Sequence, residues 1–600
     1  MTQHIRSSQY ITTYGPGAIL EGREGPRIVP LPDIGLFEPN NLNINSFEIS
    51  DPRITQGLLG GARIFRLPSN AELGAAENWY IYRTRAFPTW KLCLTNSQHP
   101  AHDVLFRGQE CPVCHRRSVD RQGIEAIRFI MACPEGHIDD VNWSRVAHQN
   151  YDGTCSHNIW FMWSGGGGAL SNIEIRCPVC GAEGNLGDAY SRHWECSGRH
   201  PEREPFNINA PVRPGCNASA KMVQRQASNL RLPNLITLFS IPPRSTRLHN
   251  LLQTPAIYHG LVATPVVSDR DFRGRVNNLQ ERRLITGNVA IEICSHEWEE
   301  ISHAIQDIMN PIPDTYHELI LEEFRALRRA SYHGAPPVTA PRPRSQVIFE
   351  VDPNKVRVFP GTNGARFRVT PILRLRTVTV NTGYRREVDT NTPSTPVDIG
   401  IPDQNNPGQK WYPGVEFLGE GIFITLDGDA DYQPDLRGIS AEKWLENYRN
   451  STAYPPHIFR QPDNREELHP LFVYWHTLSH LILRSISIEA GYSSAAIRER
   501  VYVECNEEGN RGGILIYATQ PGTDGTLGGL IALVPFFQEI LNLSFEQLRY
   551  CSGDPLCREK QITPGQYNGA ACYGCLLVSE TSCEHRNMWL DRNVLLENMP

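Results

Sequence analysis

Apolar positions recur along this chain with two different periods, and the changes between them divide it into five regions. Residues 1–85 read as short extended pieces, "SSQYITTYGPGAIL" and "GGARIFRLPS", broken by Gly and Pro. Residues 86–225 carry few long periodic segments and many cysteines. In 226–346 apolar residues three and four apart predict helices at "HEWEEISHAIQDIM" (296–309) and "DTYHELILEEFRALRRAS" (314–331). The Pro-rich "HGAPPVTAPRPRSQ" (333–346) then reads as a linker or exposed loop. Residues 347–465 alternate in the manner of strands, as in "QVIFEVD", "VRVFP", "ARFRVTPILRLRTVTVNT" and "GIFITL". From 466 to 600 a core helix is expected in "EELHPLFVYWHTLSHLILRSISIEAGY", a strand in "GGILIYATQ", and a second helix beginning in "LGGLIALVPFFQEILNL". The sum is an α+β multi-domain protein.

Composition adds an exclusion and a puzzle. No apolar run approaches the ~20 residues of a membrane span, and the first residues lack the apolar core of an export signal. A cytoplasmic setting follows, where sixteen cysteines imply metal more readily than disulfides. Net charge is −7, which gives no global pull toward nucleic acid. Of the 58 basic residues, however, 52 are Arg and only 6 are Lys. Arg offers a planar fork for phosphate and carboxylate, although a GC-rich genome would produce the same bias.

The cysteines fall into knuckles, in which a two-residue gap lets two thiolates reach one Zn²⁺. "CPVC" at Cys177 and Cys180 is completed in the sequence by Cys196 and Cys216. "CPVC" at Cys111 and Cys114 takes Cys93 as a third donor and His99 as a fourth, because a ribbon's second cysteine is replaced by Asn96. Cys133 and His137 are rivals there. With His148 and Cys155 they form either a separate site or a packed thiol and polar caps. "CYGC" at Cys572 and Cys575 joins Cys583, with Cys557 or Cys551 as the fourth ligand and His585 on the surface. Such sets predict two or three structural zinc ions, with zinc-ribbon-like modules in the N-terminal third and a mixed α/β C-terminal domain around the last. The other use of "CYGC", a redox thiol pair, would require it to open a helix after a strand.

Catalytic signatures lack necessary parts. No phosphate-binding G-x-x-x-x-G-K-[ST] occurs, and the Gly-rich "GTDGTLGGL" (522–530) reads as a tight turn or an anion-binding helix start. "HTLSH" places His476 and His480 one helical turn apart, but Thr477 stands where a zinc hydrolase carries Glu. They read as core histidines, the alternative being a metal-dependent hydrolase or nuclease with an unidentified acid. For nucleic acid, "ARFRVTPILRLRTVTVNTGYRREV" aligns Arg366 with Arg368 and Arg374 with Arg376 on a strand face, followed by Tyr384, Arg385 and Arg386. Such a stripe suits a phosphate backbone, whereas the competing reading is a solvated face of Arg–Glu pairs. "RDFRGRVNNLQERRL" (270–284) is a second, weaker basic patch.

Several segments together resemble a known family: "SSQYITTYGPGAIL", "FPTWKLC", "IRFIMACPEGHIDDVNW", "HTLSHLILRSISIEAGYSSAAIRERVY", "GTLGGL" and "ACYGCLLVSETSCEHRNMWLDR". The family is the DrmB subunits of the DISARM anti-phage system. Residues 466–600 also resemble a zinc-binding domain of unknown function fused to some bacterial helicases, which implies Cys572, Cys575 and Cys583 as ligands beside Asn587 and the run Leu590, Asp591, Arg592. The resemblance implies a non-catalytic partner of a DrmA-like helicase, a heterodimer that engages DNA with a single-stranded element while the partner hydrolyses ATP.

Overall fold

The computed structural model describes residues 4–600 except 23–24, 37–43, 75, 77–79, 118–122, 167, 209, 242–246, 311, 340–346, 389–393, 405, 429–435, 437–438, 451–468, 492–495, 507–508, 521–528 and 564–565. The Gly-rich 522–530 segment and the second half of the Pro-rich one lie largely among these exceptions. The fold is mixed α/β, and two compact units share it. One comprises Met1–Ser50, Ala62–Thr237 and Thr379–Val415, the other Asp51–Gly61, Leu238–Val378 and Glu416–Pro600. Each is assembled from separated segments of the chain.

The first unit is built on small antiparallel sheets. Six strands run in the order Glu183–Asn185, Glu174–Arg176, Trp160–Ser164, Asp103–Arg107, Trp90–Cys93, Ile124–Ala126. In Trp160–Ser164 the alternation buries Phe161 and Trp163 on one face, where Trp143, Ile175 and Leu186 join them. A four-stranded sheet follows the order His193–Cys196, Cys216–Gln224, Phe129–Ala132, Ile138–Asp140. Its strands are three to nine residues long. Such short strands bury little apolar surface, and the side chains at their ends must hold them by other means.

The second unit has a larger sheet and a helix buried over most of its length. The sheet order is Ala335–Thr339, Val347–Val351, Arg366–Arg385 (up to Val378), Lys410–Leu426 (from Glu416), Gly509–Gln520, Ile497–Asn506. The helix Pro470–Ala490 packs on the last two strands and on the helix Phe537–Arg549. It starts at Pro470, preorganised for a first turn, with the His469 ring accepting from the Leu471 N–H at 3.1 Å. It stops at Gly491, whose φ of +66° is left-handed. Its sequence is apolar all round, as a helix enclosed on every side requires. Even so, His476, Thr477, Ser479, His480 and Ser485 are wholly buried in it.

Helices form at Trp298–Met309 and Tyr316–His333, where the periodicity places them. Two segments differ from expectation. "SSQYIT" is the helix Ser7–Thr12 rather than extended chain, because the Gln9 side chain caps its first turn by accepting from the Arg6 N–H at 3.0 Å. Within the Pro-rich stretch Ala335–Thr339 is an edge strand, a position that tolerates proline. The patch at 270–284 forms the helix Asp269–Glu281, where Arg273 and Arg275 pair with Asp269 and Asp271 one turn back.

Gly512, opposite Val503 in the sheet, is where the buried helix comes closest, and a Cβ there would run into the Trp475 indole. Gly512→Ala should cost about 1–3 kcal/mol through overpacking, read as a lower urea midpoint with an unchanged m-value.

Candidate metal centres

Among the described residues, five groups of four side chains converge so closely that the ligand atoms of each lie within 4.8 Å of one another. Three are in the first unit and two in the second. Together they use fourteen of the sixteen cysteines, leaving Cys294 and Cys505 outside.

Cys93, at the end of Trp90–Cys93, meets Cys111, Cys114 and His99. His99 donates from Nδ1 to the His102 carbonyl at 3.0 Å, so Nε2 carries a lone pair, which the Asn96 amide meets at 2.8 Å. Asn96 is no ligand here. Its amide donates to Cys114 Sγ at 3.3 Å. The knuckle turns through His115, at φ +58°.

The second and third groups differ from the set read in the sequence. Cys177 and Cys180 do not meet Cys196 and Cys216; they meet His148 and Cys155. His148, at the end of the helix Trp143–Ala147, donates from Nδ1 to the Ser144 carbonyl at 2.7 Å and turns Nε2 to Cys180 Sγ at 3.2 Å. Cys196 and Cys216 are register partners on adjacent strands and meet Cys133 and His137 from the same sheet. The tight turn Cys133–His137, with Gly136 at φ +82°, sets His137 Nδ1 3.3 Å from Cys133 Sγ. The physical reason is strand order: Cys216–Gln224 lies between His193–Cys196 and Phe129–Ala132, which carries the 196/216 pair away from the 177/180 knuckle.

The fourth group is Cys551, Cys557, Cys572 and Cys575. Both cysteines offered as alternatives therefore belong, and Cys583 does not. Cys551 and Cys572 sulfurs are 3.4 Å apart, Cys557 and Cys575 3.8 Å, and Cys572 and Cys575 3.7 Å. The Gly553 N–H donates to Cys551 Sγ and the Cys572 N–H to Cys575 Sγ, both at 3.3 Å. Cys583 meets His476, His480 and Glu499 instead, in the fifth group, the most buried of all. His585 is buried against Phe472, His476 and Trp589 rather than on the surface. Burial drives its pKa down to about 3.

These dimensions fit Zn²⁺. Tetrahedral geometry with Zn–S of ~2.3 Å places two sulfurs about 3.8 Å apart, whereas a disulfide needs ~2.05 Å. In each cysteine-rich group one thiol is already displaced toward thiolate. For Cys133 the neighbouring Cys196 thiol does most, bringing it to about 4. Burial opposes the shift at Cys114, Cys180 and Cys572, yet hydrogen bonds lower them to about 6, 7 and 7. Burial raises the partner Cys93 to about 12. A divalent ion is what lets the remaining thiols ionise together.

The proposed arginine stripe is mostly interior. Tyr384 is buried and donates to Glu202 at 2.6 Å. Arg386 is fully buried and donates to the carbonyls of Gly136, Leu230 and Gly17 at 2.9, 2.6 and 3.1 Å. Arg376 is held by Glu416 at 2.7 Å, and Arg368 by Asp427 at 2.8 Å with its guanidinium over Tyr332. Arg385 is half-buried. Arg366, paired with Asp427, and Arg374 are the two of the seven that are exposed. Alternation puts residues on one face, but here further layers cover parts of both faces of the strand.

Residues 6–232 match a family model described as a domain of unknown function (DUF8724), and residues 478–576 match the MrfA Zn-binding domain. The second match encloses all four cysteines of the fourth group but neither His476 nor Cys583. The chain is similar to the DISARM protein DrmB of Bacillus paralicheniformis (strain ATCC 9945a / NCIMB 11709 / CD-2). The two are 26% identical over 519 residues, which covers 83% of this chain and 84% of that protein. Among solved structures, the crystal structure of the DUF1998 helicase MrfA bound to DNA aligns with 36% of this chain and 23% of its own, at 10% identity and a TM-score of 0.19.

The grouping can be tested by counting ions. The double variant Cys177→Ser, Cys196→Ser should lose two zinc ions per chain by elemental analysis, because its substitutions fall in different groups. Loss of one would restore the set read from sequence.

Proposed function

We infer that this chain is a non-catalytic, zinc-braced subunit of a bacterial anti-phage assembly of the DISARM type. In this reading it works in the cytoplasm, pairs with a DrmA-like superfamily-two helicase and helps hold DNA that has a single-stranded element. The observation that carries the reading is the similarity to DrmB along 83% of the chain. The donor groups support it, because each supplies four protein ligands, as closed structural zinc does, whereas catalytic zinc keeps a place for water.

Zinc would be held by Cys93, His99, Cys111 and Cys114, by Cys133, His137, Cys196 and Cys216, by His148, Cys155, Cys177 and Cys180, and by Cys551, Cys557, Cys572 and Cys575. In the first three sets, loops and short strands are cross-linked in the manner of zinc-ribbon-like modules. The ion supplies positive charge that four converging donors need. The residues around it do the rest: backbone N–H groups bond the sulfurs, and carbonyls hold each of His99 and His148 in the tautomer whose Nε2 carries the lone pair. A hydrolase built on His476 and His480 would need substrate to reach them, and both are wholly buried.

Among the described residues no helix is long and apolar enough to cross a membrane. For DNA the reading rests on Arg366 and Arg374, the exposed members of the stripe. Replacing both with Glu should weaken DNA binding by the complex. It should also reduce the slope of log K against log salt by about 1.4–1.8, two phosphate contacts' worth. An unchanged slope removes these residues from the interface.

The decisive experiment measures ATP hydrolysis with and without DNA for the chain alone, for a DrmA-like helicase alone and for the two together. The chain alone should be inactive, the pair should copurify, and DNA should stimulate the pair. Turnover by this chain alone, or failure of the two to associate, would overturn the reading.

A further inference from the structure

The fifth donor group differs from the other four in chemistry and in setting. His476 and His480 lie one turn apart on the buried helix, Glu499 comes from the strand Ile497–Asn506, and Cys583 from the loop beyond the cysteine knuckle. Exposure is 0% for the first three and 4% for Cys583. Four ligand atoms crowd one point: His476 Nε2 is 2.9 Å from Glu499 Oε1 and 3.2 Å from Cys583 Sγ, and His480 Nε2 is 3.2 Å from the same Oε1.

Hydrogen-bond partners fix part of the proton placement on these atoms. The Leu576 carbonyl, 3.0 Å from His480 Nδ1, can only accept, so that nitrogen carries the hydrogen and Nε2 presents a lone pair. If the group held no ion, His480 Nε2 would need a second proton to bond Glu499, and His476 Nε2 would need one for the same oxygen. A cationic His480 ring and a neutral His476 ring, with centroids 4.6 Å apart, would then converge on one buried carboxylate oxygen, and Cys583 would be left as a neutral thiol. A divalent cation would engage every donor: two neutral imidazoles, one carboxylate and one thiolate around M²⁺ sum to zero charge. Such a set carries no net charge for burial to penalise, and it uses all four donors at once. The surroundings are arranged as an outer shell. The Ser479 hydroxyl donates to the other Glu499 oxygen. The N–H groups of His585 and Asn587 donate to Cys583 Sγ at 3.3 Å each, from a turn that holds Arg586 and Asn587 at positive φ.

We propose that His476, His480, Glu499 and Cys583 bind a divalent transition metal of the Zn²⁺ class as a closed, buried His₂GluCys centre distinct from the Cys₄ site. Imidazole and carboxylate donors make it harder than the cysteine-rich sets, and it has no route for substrate. Its role is to bolt the helix, the strand and the terminal loop together. The Leu576 carbonyl that orients His480 follows Cys575 directly, so this centre and the Cys₄ site brace the same turn.

The test uses the full chain. Native mass spectrometry should show Glu499→Gln with one ion fewer than the unaltered chain, and Cys583→Ser likewise, with the circular dichroism spectrum kept. An unchanged ion count in folded Glu499→Gln overturns the proposal. If the variants fail to fold, the unaltered chain exchanged with ¹¹³Cd²⁺ still decides it. Cadmium deshielding grows with thiolate number, so one resonance should stand well upfield of those from the sites with three or four sulfurs. Its absence overturns the proposal, and a purely hydrogen-bonded core is then the correct description.

Discussion

Convergence of ionisable, metal-ligating side chains from segments far apart in the sequence is the constraint on which the rest of this structure depends. Thiols, imidazoles and a carboxylate meet in fours at distances too long for covalent bonds and too short for free charges. Such groups oppose burial unless a partner compensates them. Where Cys93, Cys133 or Cys177 closes a group, the neighbouring strands are three to nine residues long and bury modest apolar area. A cross-link of this kind replaces the hydrophobic contacts that a loop-rich unit cannot supply.

Arginine provides a second kind of cross-link. Arg386 holds three carbonyls of the first unit. In the second unit Arg53 donates to the carbonyls of Phe239 at 2.7 Å, Ile241 at 2.5 Å and Leu319 at 2.8 Å. Arg500 joins Glu323 at 2.8 Å to Glu584 at 2.7 Å. A planar guanidinium with five N–H groups can satisfy several acceptors at once, whereas an ammonium would leave some unmet. Part of the 52-to-6 preference for Arg over Lys is thus spent on the interior, which is why a basic stripe in the sequence yields only two exposed guanidiniums.

Both kinds of cross-link suit a platform. They fix backbone positions, and under the proposed role beside a helicase that rigidity is what the fold would contribute. The match of residues 478–576 to the MrfA Zn-binding domain agrees with a metal-braced fold.

Local pattern was enough to locate the helices around 298–309, 316–333 and 470–490, the long strands after 347 and the three cysteine knuckles, because each depends on residues a few positions apart. The set Cys93, His99, Cys111 and Cys114 was also legible, since its members lie within twenty-two residues. Which distant donors completed the other knuckles was not. Sheet order sent Cys196 and Cys216 to Cys133, and helix burial brought His476 to Cys583 across more than a hundred residues. Nothing in "IRERVY" marked Glu499 as the acid that His476 and His480 face, because a carboxylate in an alternating strand looks like any solvent-facing one until the helix covers it. Sequence alone determined the inventory of donors and the short elements that carry them. The partition of those donors into centres, and of the arginines into inside and outside, was decided by tertiary packing, because it depends on distances through space that no local spacing encodes.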